Sequence, residues 1–446
     1  MKHTLLYGVS IGLSNGVSLL MLPWLASQLT VEDFGVLQLL ALMVSIGSVI
    51  CAFAMTEALY RFATGPNSND RVHFLWIRVN QLTLAGLTLC FSALHFIGDP
   101  QIRLWIALAG LTTVLEGQIS FPMAWLRMQD RSGQFARIAL SKVAIQTTLT
   151  VVLVSLGYGV TGMLLAGLFA ILVQAFALRQ AMRPVTLVKP SPVSGWVSHC
   201  APLTGSGLLA IALFSMERAY IGHFDSLAEV GRYSVAAKFG LALAFLLQPY
   251  GMWFFPKRFE LSVGRNKNQD ELSDGSATGV YLLAFAAFSI LLTVPNFVFC
   301  LLPEDYWGGM TYLLPVIIAM AAKELSEYAN FGLWKARAGS LLKINISCTL
   351  VATASMILAG HYFGGLGVAY ALAIASCLRT LWIYHSAQKV WQIELRRPIG
   401  IAVLAILFGH LLGQSLSIFV AFGLAAVLTG GLGWRWVAQQ HKLSLA

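Results

Sequence analysis

Apolar residues run in long blocks along this chain, and polar residues gather in short clusters between them. An apolar block of roughly 20 residues has the length of a membrane-spanning helix. On that pattern spans are predicted at 5–29, 34–57, 74–97, 102–126, 138–156, 160–178, 199–224, 230–255, 277–302, 310–334, 341–360, 364–388, 398–412 and 414–434. The first is too long for a signal-peptide core and lacks an A-x-A cleavage site, so it reads as a retained span. The expected fold class is an all-α polytopic membrane protein of about 14 transmembrane helices.

Charge tests this count independently, because cytoplasmic loops are enriched in Lys and Arg. With the N-terminus inside, the inner segments collect 22 of the 29 basic residues, from Lys2 through Arg127, Arg137, Lys142, Lys189 and Arg397 to Lys442. The outer segments hold only Arg103 and Arg232. A miscounted span would swap every later loop, so the alternation predicts both termini in the cytoplasm. The net charge of +10 is then a topology signal, not a mark of nucleic-acid binding. With 57% hydrophobic and 11% charged residues among 446, and a mean hydropathy of +0.74, no large water-soluble catalytic domain fits. The six cysteines lie in or beside apolar runs without CxxC spacing and read as reduced structural residues. With no HExxH, GxGxxG, P-loop or GxSxG, neither a catalytic constellation, a metal site nor a cofactor is expected.

The segment RPVTLVKPSPVSGW reads as a linker. It divides the chain into an N-terminal lobe at 1–182 (spans one to six), a cytoplasmic linker at 183–198, a C-terminal lobe at 199–389 (spans seven to twelve), and two added helices with a tail at 390–446. TVEDFG (Thr30 to Gly35) follows span one, and SLAEVG (Ser226 to Gly231) follows span seven, 196 residues later. In each, a hydroxyl can cap the next helix and an acid suits its positive end. Two ordinary helix starts would look alike over six residues. The equal placement after one span of each lobe favours a duplication, and hence two pseudo-symmetric six-helix lobes with a transport site between them.

Ionisable groups inside a membrane normally face protein or a watery cavity. Apart from Arg103, Lys142, Arg232 and Lys343 near span ends, which are counted with the loops, ten charged residues fall within the predicted spans: Glu57, Arg78, Glu116, Glu217, Arg218, Lys238, Lys323, Glu324, Glu327 and Arg379. Glu57 and Arg61 are spaced as a structural i,i+4 pair, and Arg379 and Lys238 are near enough to span ends to snorkel. Lys323 and Glu327 can neutralise one another across one turn, which leaves Glu324 without a partner on its own helix. Glu116 stands alone at mid-depth in span four, which makes it the first proton-carrier candidate, with Glu324 second. Arg78, Asn80 and Gln81 put a cation and two amides on span three; amides suit sugar hydroxyls and Arg suits phosphate. Arg218, with Arg78 and Lys323 in support, is the expected phosphate site. Glu217 and Arg218 point to adjacent sectors of span seven, so both are not expected to face one small partner. Gly8, Gly12 and Gly16 form a packing ladder on span one.

LTVEDFGVLQLL after the first span, ALYRFATG closing the second, and MERAYIGHFDSLAEVGRYSVAAKF across spans seven and eight resemble the polysaccharide-transport branch of the MOP exporter superfamily, the Wzx-type flippases of O-antigen and exopolysaccharide synthesis. The resemblance implies a MATE/MOP-like fold of two six-helix lobes about a cationic cavity. It also implies translocation of an undecaprenyl-pyrophosphate-linked oligosaccharide from inner to outer leaflet of a bacterial inner membrane by alternating access. Polysaccharide polymerase and glycosyltransferases would be its partners. Arg61 and the Glu217–Arg218 pair match the family's positions, with Glu where Asp is common. A MATE-like drug/cation antiporter would want an acidic cavity, whereas the span charges are five basic and five acidic. A glycan polymerase or ligase would need a substantial outer loop, and a scaffold would leave the buried charges unexplained.

Overall fold

The computed structural model describes residues 16–63, 68–263, 269–330, 338–390 and 392–415. Among them every regular element is helical, and eleven helices are long and apolar enough to cross a membrane. In chain order the helices are α1 (Leu22–Gln28), α2 (Val31–Ala52), α3 (Met55–Phe62), α4 (Ser68–Leu94), α5 (Pro100–Met128), α6 (Ser132–Ser155) and α7 (Gly159–Thr186). Then follow α8 (Trp196–Phe214), α9 (Glu217–Phe224), α10 (Leu227–Val263), α11 (Gln269–Leu301), α12 (Leu313–Ala329), α13 (Ala338–Gln388) and α14 (Arg396–Ser415).

The 51 residues of α13 are too many for one crossing. Gly364 interrupts the helix at φ 61° and ψ −152°, a conformation that only glycine adopts without strain. Arg379 Nε donates to Asn345 Oδ1 at 3.0 Å across the bend. A straight helix would hold these residues about 51 Å apart, so α13 is two antiparallel crossings, as the predicted spans eleven and twelve require. Spans two to thirteen all have counterparts. Residues 1–15, with Gly8 and Gly12, and span fourteen beyond 415 lie outside the described residues.

Three predicted spans are broken. The first turns at Met21, ahead of Pro23 in the opening turn of α1. The second breaks between α2 and α3, where Phe53 and Ala54 both adopt left-handed φ values of 44° and 48°. No glycine marks the spot; the Cys200 thiol donates to the Ala54 carbonyl at 3.6 Å, beside that carbonyl's bonds from the Glu57 and Ala58 amides, and Phe53 packs edge-on to Trp196. The seventh breaks at Ser215 and Met216, between α8 and α9. Span ten opens with a 3-10 stretch, Glu304–Tyr312, before α12.

The chain forms two compact units, 1–231 and 232–446. In the first, α5 packs against α2, α3, α4, α6 and α7. A buried cluster of Met55, Leu59, Leu75, Phe121, Leu126 and Ile171 joins them, with Trp76 stacked on Phe121 at 6.0 Å. Helix α7 continues through Pro184 to Thr186, so the segment without regular structure is shorter than the predicted linker. It is tied down by Ser191 N–H to Asp70 O at 3.1 Å and His73 Nδ1 to Val188 O at 2.5 Å. In the second unit α11 lies against α14 and α12, and α12 against α13. Gly409 and Gly413 of α14 meet the backbone of Phe288 and Leu291 on α11, the small-residue packing expected where lipid tails are as apolar as side chains.

Candidate functional site

The two repeated segments fold alike. Thr30 Oγ1 accepts from Asp33 N–H at 3.1 Å, and Ser226 Oγ accepts from Glu229 N–H at 3.1 Å, capping α2 and α10. Each cap is preceded by a short helix, α1 or α9, that starts at a kink or break within its span. Adding 196 to the bounds of α1, Leu22–Gln28, gives 218–224, within α9 at Glu217–Phe224. The segments also touch reciprocally. A Cβ on Gly35 would lie 1.9 Å from the Leu227 carbonyl oxygen, and one on Gly231 would lie 2.1 Å from that of Val31. Val31 and Leu227 are themselves 196 apart, so the contact maps onto itself when the repeats are exchanged.

At the break before α9, Glu217 is 2% exposed and Arg218 sits beside it. Their sequence positions suggested divergent sectors, but Arg218 Nε lies 3.9 Å from Glu217 Oε1, because the helix starts afresh at this point. That is an ion-pair distance and too long for a hydrogen bond. Arg218 Nε is buried without a hydrogen-bond partner, so the guanidinium retains donor capacity.

The span-three trio separates into two places. Arg78 donates to Gln81 Oε1 at 2.8 Å and lies over the Phe74 ring at 4.8 Å, its Nε buried without a partner. Asn80 instead faces α5: its amide donates to Trp76 O at 2.8 Å and its carbonyl accepts from Gln118 at 2.9 Å. Asn80 thus makes one hydrogen bond at each end of its amide within the protein, with one N–H left to donate. Gln81 is exposed beside Arg78 and remains with it.

Glu116 is not alone. Lys142 on α6 donates to Glu116 Oε1 at 2.5 Å, with the two side chains 22% and 33% exposed. Lys142 was counted among the loop cations, yet it lies ten residues inside α6. A long flexible stem carries its ammonium to the neighbouring helix, which no spacing along one helix reveals. The predicted Glu57–Arg61 pair is replaced in a similar way: Arg61 turns to His199 Nδ1 on α8 at 2.9 Å.

In the second unit, Lys323 and Glu324 are half-buried on α12, and Lys238 is half-buried on α10. Glu324 opens into a cavity of about 520 Å3 shared with Gln248, Gly251, Phe255 and Tyr328. Arg379 does not snorkel. Besides Asn345 it bonds Ser326 Oγ at 3.0 Å, and so ties both limbs of α13 to α12. Among the described residues no group of three or more His, Cys, Asp or Glu is placed to hold a metal, and all six cysteines are free thiols.

Buried charges on a polytopic helical frame with broken spans suit transport. Residues 24–252, about half of the chain, match the family described as "Polysaccharide biosynthesis protein". The chain belongs to that family. No curated protein matches it in sequence. Two solved structures share its fold at low identity. The lipid II flippase MurJ in an inward closed conformation is 12% identical, with a TM-score of 0.68 over 97% of this chain and 100% of that one. A multidrug resistance MATE family transporter of the MOP superfamily, in an inward-facing conformation, is 12% identical, with a TM-score of 0.61 over 87% of this chain and 98% of that one. The polysaccharide biosynthesis family, the eleven membrane-length helices and the shared fold together make the protein a polytopic all-helical membrane protein, as the sequence reading expected.

Proposed function

We propose that the protein is a flippase that carries an undecaprenyl-pyrophosphate-linked oligosaccharide, an O-antigen or exopolysaccharide repeat unit, from the inner to the outer leaflet of the bacterial inner membrane. Both termini lie in the cytoplasm in this reading, and glycosyltransferases and a polymerase act before and after it. The observation that carries the proposal is the Arg218 guanidinium: half-buried at a broken span, with its Nε buried and 3.9 Å from Glu217 Oε1, it keeps donors for a phosphate. An oligosaccharide and a pyrophosphate need a wet, hydrogen-bonding path through hydrocarbon, while a polyprenyl tail can stay in lipid. Arg78 with Gln81, and Lys323 in the second unit, are assigned supporting contacts with phosphate and sugar. Glu116 and Glu324 are assigned proton coupling; Glu116 would exchange its ion pair with Lys142 for a proton during the cycle.

Deletion of the gene should leave lipid-linked oligosaccharide accumulating on the cytoplasmic leaflet. Arg218→Ala should abolish surface polysaccharide at normal protein abundance, with Arg218→Lys partly active because an ammonium lacks the paired donors. Loss of the protein itself would assign Arg218 a structural role, and full export by the Ala variant would remove it from the site.

A further inference from the structure

A second polar cleft lies between α6 and α7, away from the broken spans. Its volume is about 450 Å3, and Gln134, Arg137, Ser141, Lys142, Gln174 and Gln180 line it, a size at which small-molecule groups are bound. Gln174 is the telling residue. It is 5% exposed, its Oε1 has no hydrogen-bond partner, and its Nε2 reaches only the weak acceptor Met123 Sδ at 4.0 Å. A buried amide in that condition calls for an occupant that both donates and accepts.

The other groups in the wall define the occupant. Arg137 and Lys142 lie five and ten residues inside α6, and Gln180 and Gln174 lie six and twelve residues before the end of α7. The polar wall thus descends from the helix ends into the bilayer, with cations and amides at matching depths. In the same wall, Val173 of α7 is 36% exposed and lies with Ile138 and Ala177, an apolar surface suited to acyl or prenyl chains. Arg137 uses little of its donor capacity, its Nε reaching Gly133 O at 3.4 Å. A planar guanidinium at the mouth and an ammonium below it fit a phosphate, and the amides fit hydroxyls attached to that phosphate.

We infer that this cleft binds the phosphate-bearing headgroup of a lipid, with Arg137 and Lys142 on the phosphate and Gln174 and Gln180 on neighbouring hydroxyls. Either the polyprenyl pyrophosphate of the proposed substrate or an anionic phospholipid can supply that chemistry. Only the first depends on the flippase reading.

The test uses the full chain in phosphatidylcholine nanodiscs, titrated separately with undecaprenyl pyrophosphate and with phosphatidylglycerol. Wild type is compared with Arg137→Gln, Gln174→Leu and the double variant Glu116→Gln/Lys142→Gln, which removes both charges together so that neither is stranded. At least one lipid should bind wild type and bind Arg137→Gln and Gln174→Leu tenfold or more weakly. If that lipid is the pyrophosphate, the cleft serves the proposed substrate; if it is phosphatidylglycerol alone, the cleft holds bilayer lipid. Binding of neither lipid to wild type, or equal binding to wild type and variants, overturns the inference. An Arg218→Ala control that loses pyrophosphate binding while the cleft variants keep the binding of both lipids would do the same and leave the flippase reading standing.

Discussion

At the residue scale, the charges inside the membrane are governed by partners on other helices. Glu116 shows this most directly, since its Lys142 partner is 26 positions along the chain and on a different helix. Removing one member of such a pair strands the other, whereas removing both does not. Lys142→Met should therefore lower the thermal unfolding midpoint of the purified protein, and Glu116→Gln added to it should restore most of the loss. The coupling between the two sites should be roughly 0.5–3 kcal/mol. Additive effects of the two changes would mean that the pair contributes nothing. The sequence identified which acids and bases lie in spans, because hydropathy locates them. It could not identify their partners: Arg61 with His199, Arg379 with Asn345 and Ser326, and Asn80 with Gln118 are set by how helices face one another.

At the element scale, span positions were legible while the breaks within spans were not. Phe53-Ala54 and Ser215-Met216 contain neither glycine nor proline, and contacts with a neighbouring helix hold the first of these breaks, as Trp196 does for Phe53. The bend at Gly364 fell at the first residue of predicted span twelve, where glycine carried the signal. The capped segments were also readable, since hydroxyl, acid and glycine recur at one offset. Gly35→Ala would place a methyl 1.9 Å from the Leu227 oxygen, and Gly231→Ala would place one 2.1 Å from the Val31 oxygen. Either change should therefore force the segments apart. Both should raise the labelling of a cysteine placed at Ser226 and lower transport; an unchanged labelling rate in either would show that the contact is dispensable.

At the scale of the whole molecule, the charge alternation predicts more than the described helices test. In a background without the native cysteines, a cysteine at Pro190 should react only from the cytoplasm and one at Asp305 only from outside. Reversal at either position would sink the proposed topology. Fold class and family were legible because repeated hydropathy and a few capped turns are properties of the sequence itself. The α6–α7 cleft was not, because Arg137 and Lys142 also serve as ordinary positive-inside residues and nothing along the chain marks Gln174 as buried opposite them.

The reciprocal glycine contact has one more consequence. A surface that meets its own copy through matching positions is what two identical subunits present to each other across a two-fold axis. Here both copies belong to one polypeptide, and each glycine makes its closest approach to the other copy's backbone carbonyl. A carbonyl is the same whatever residue bears it. Drift at Val31 or Leu227 therefore leaves the joint intact, and only the glycines are held fixed. Two fused halves can in this way evolve unlike interiors, one carrying Arg78 and the other Arg218, while still meeting as equals where they began.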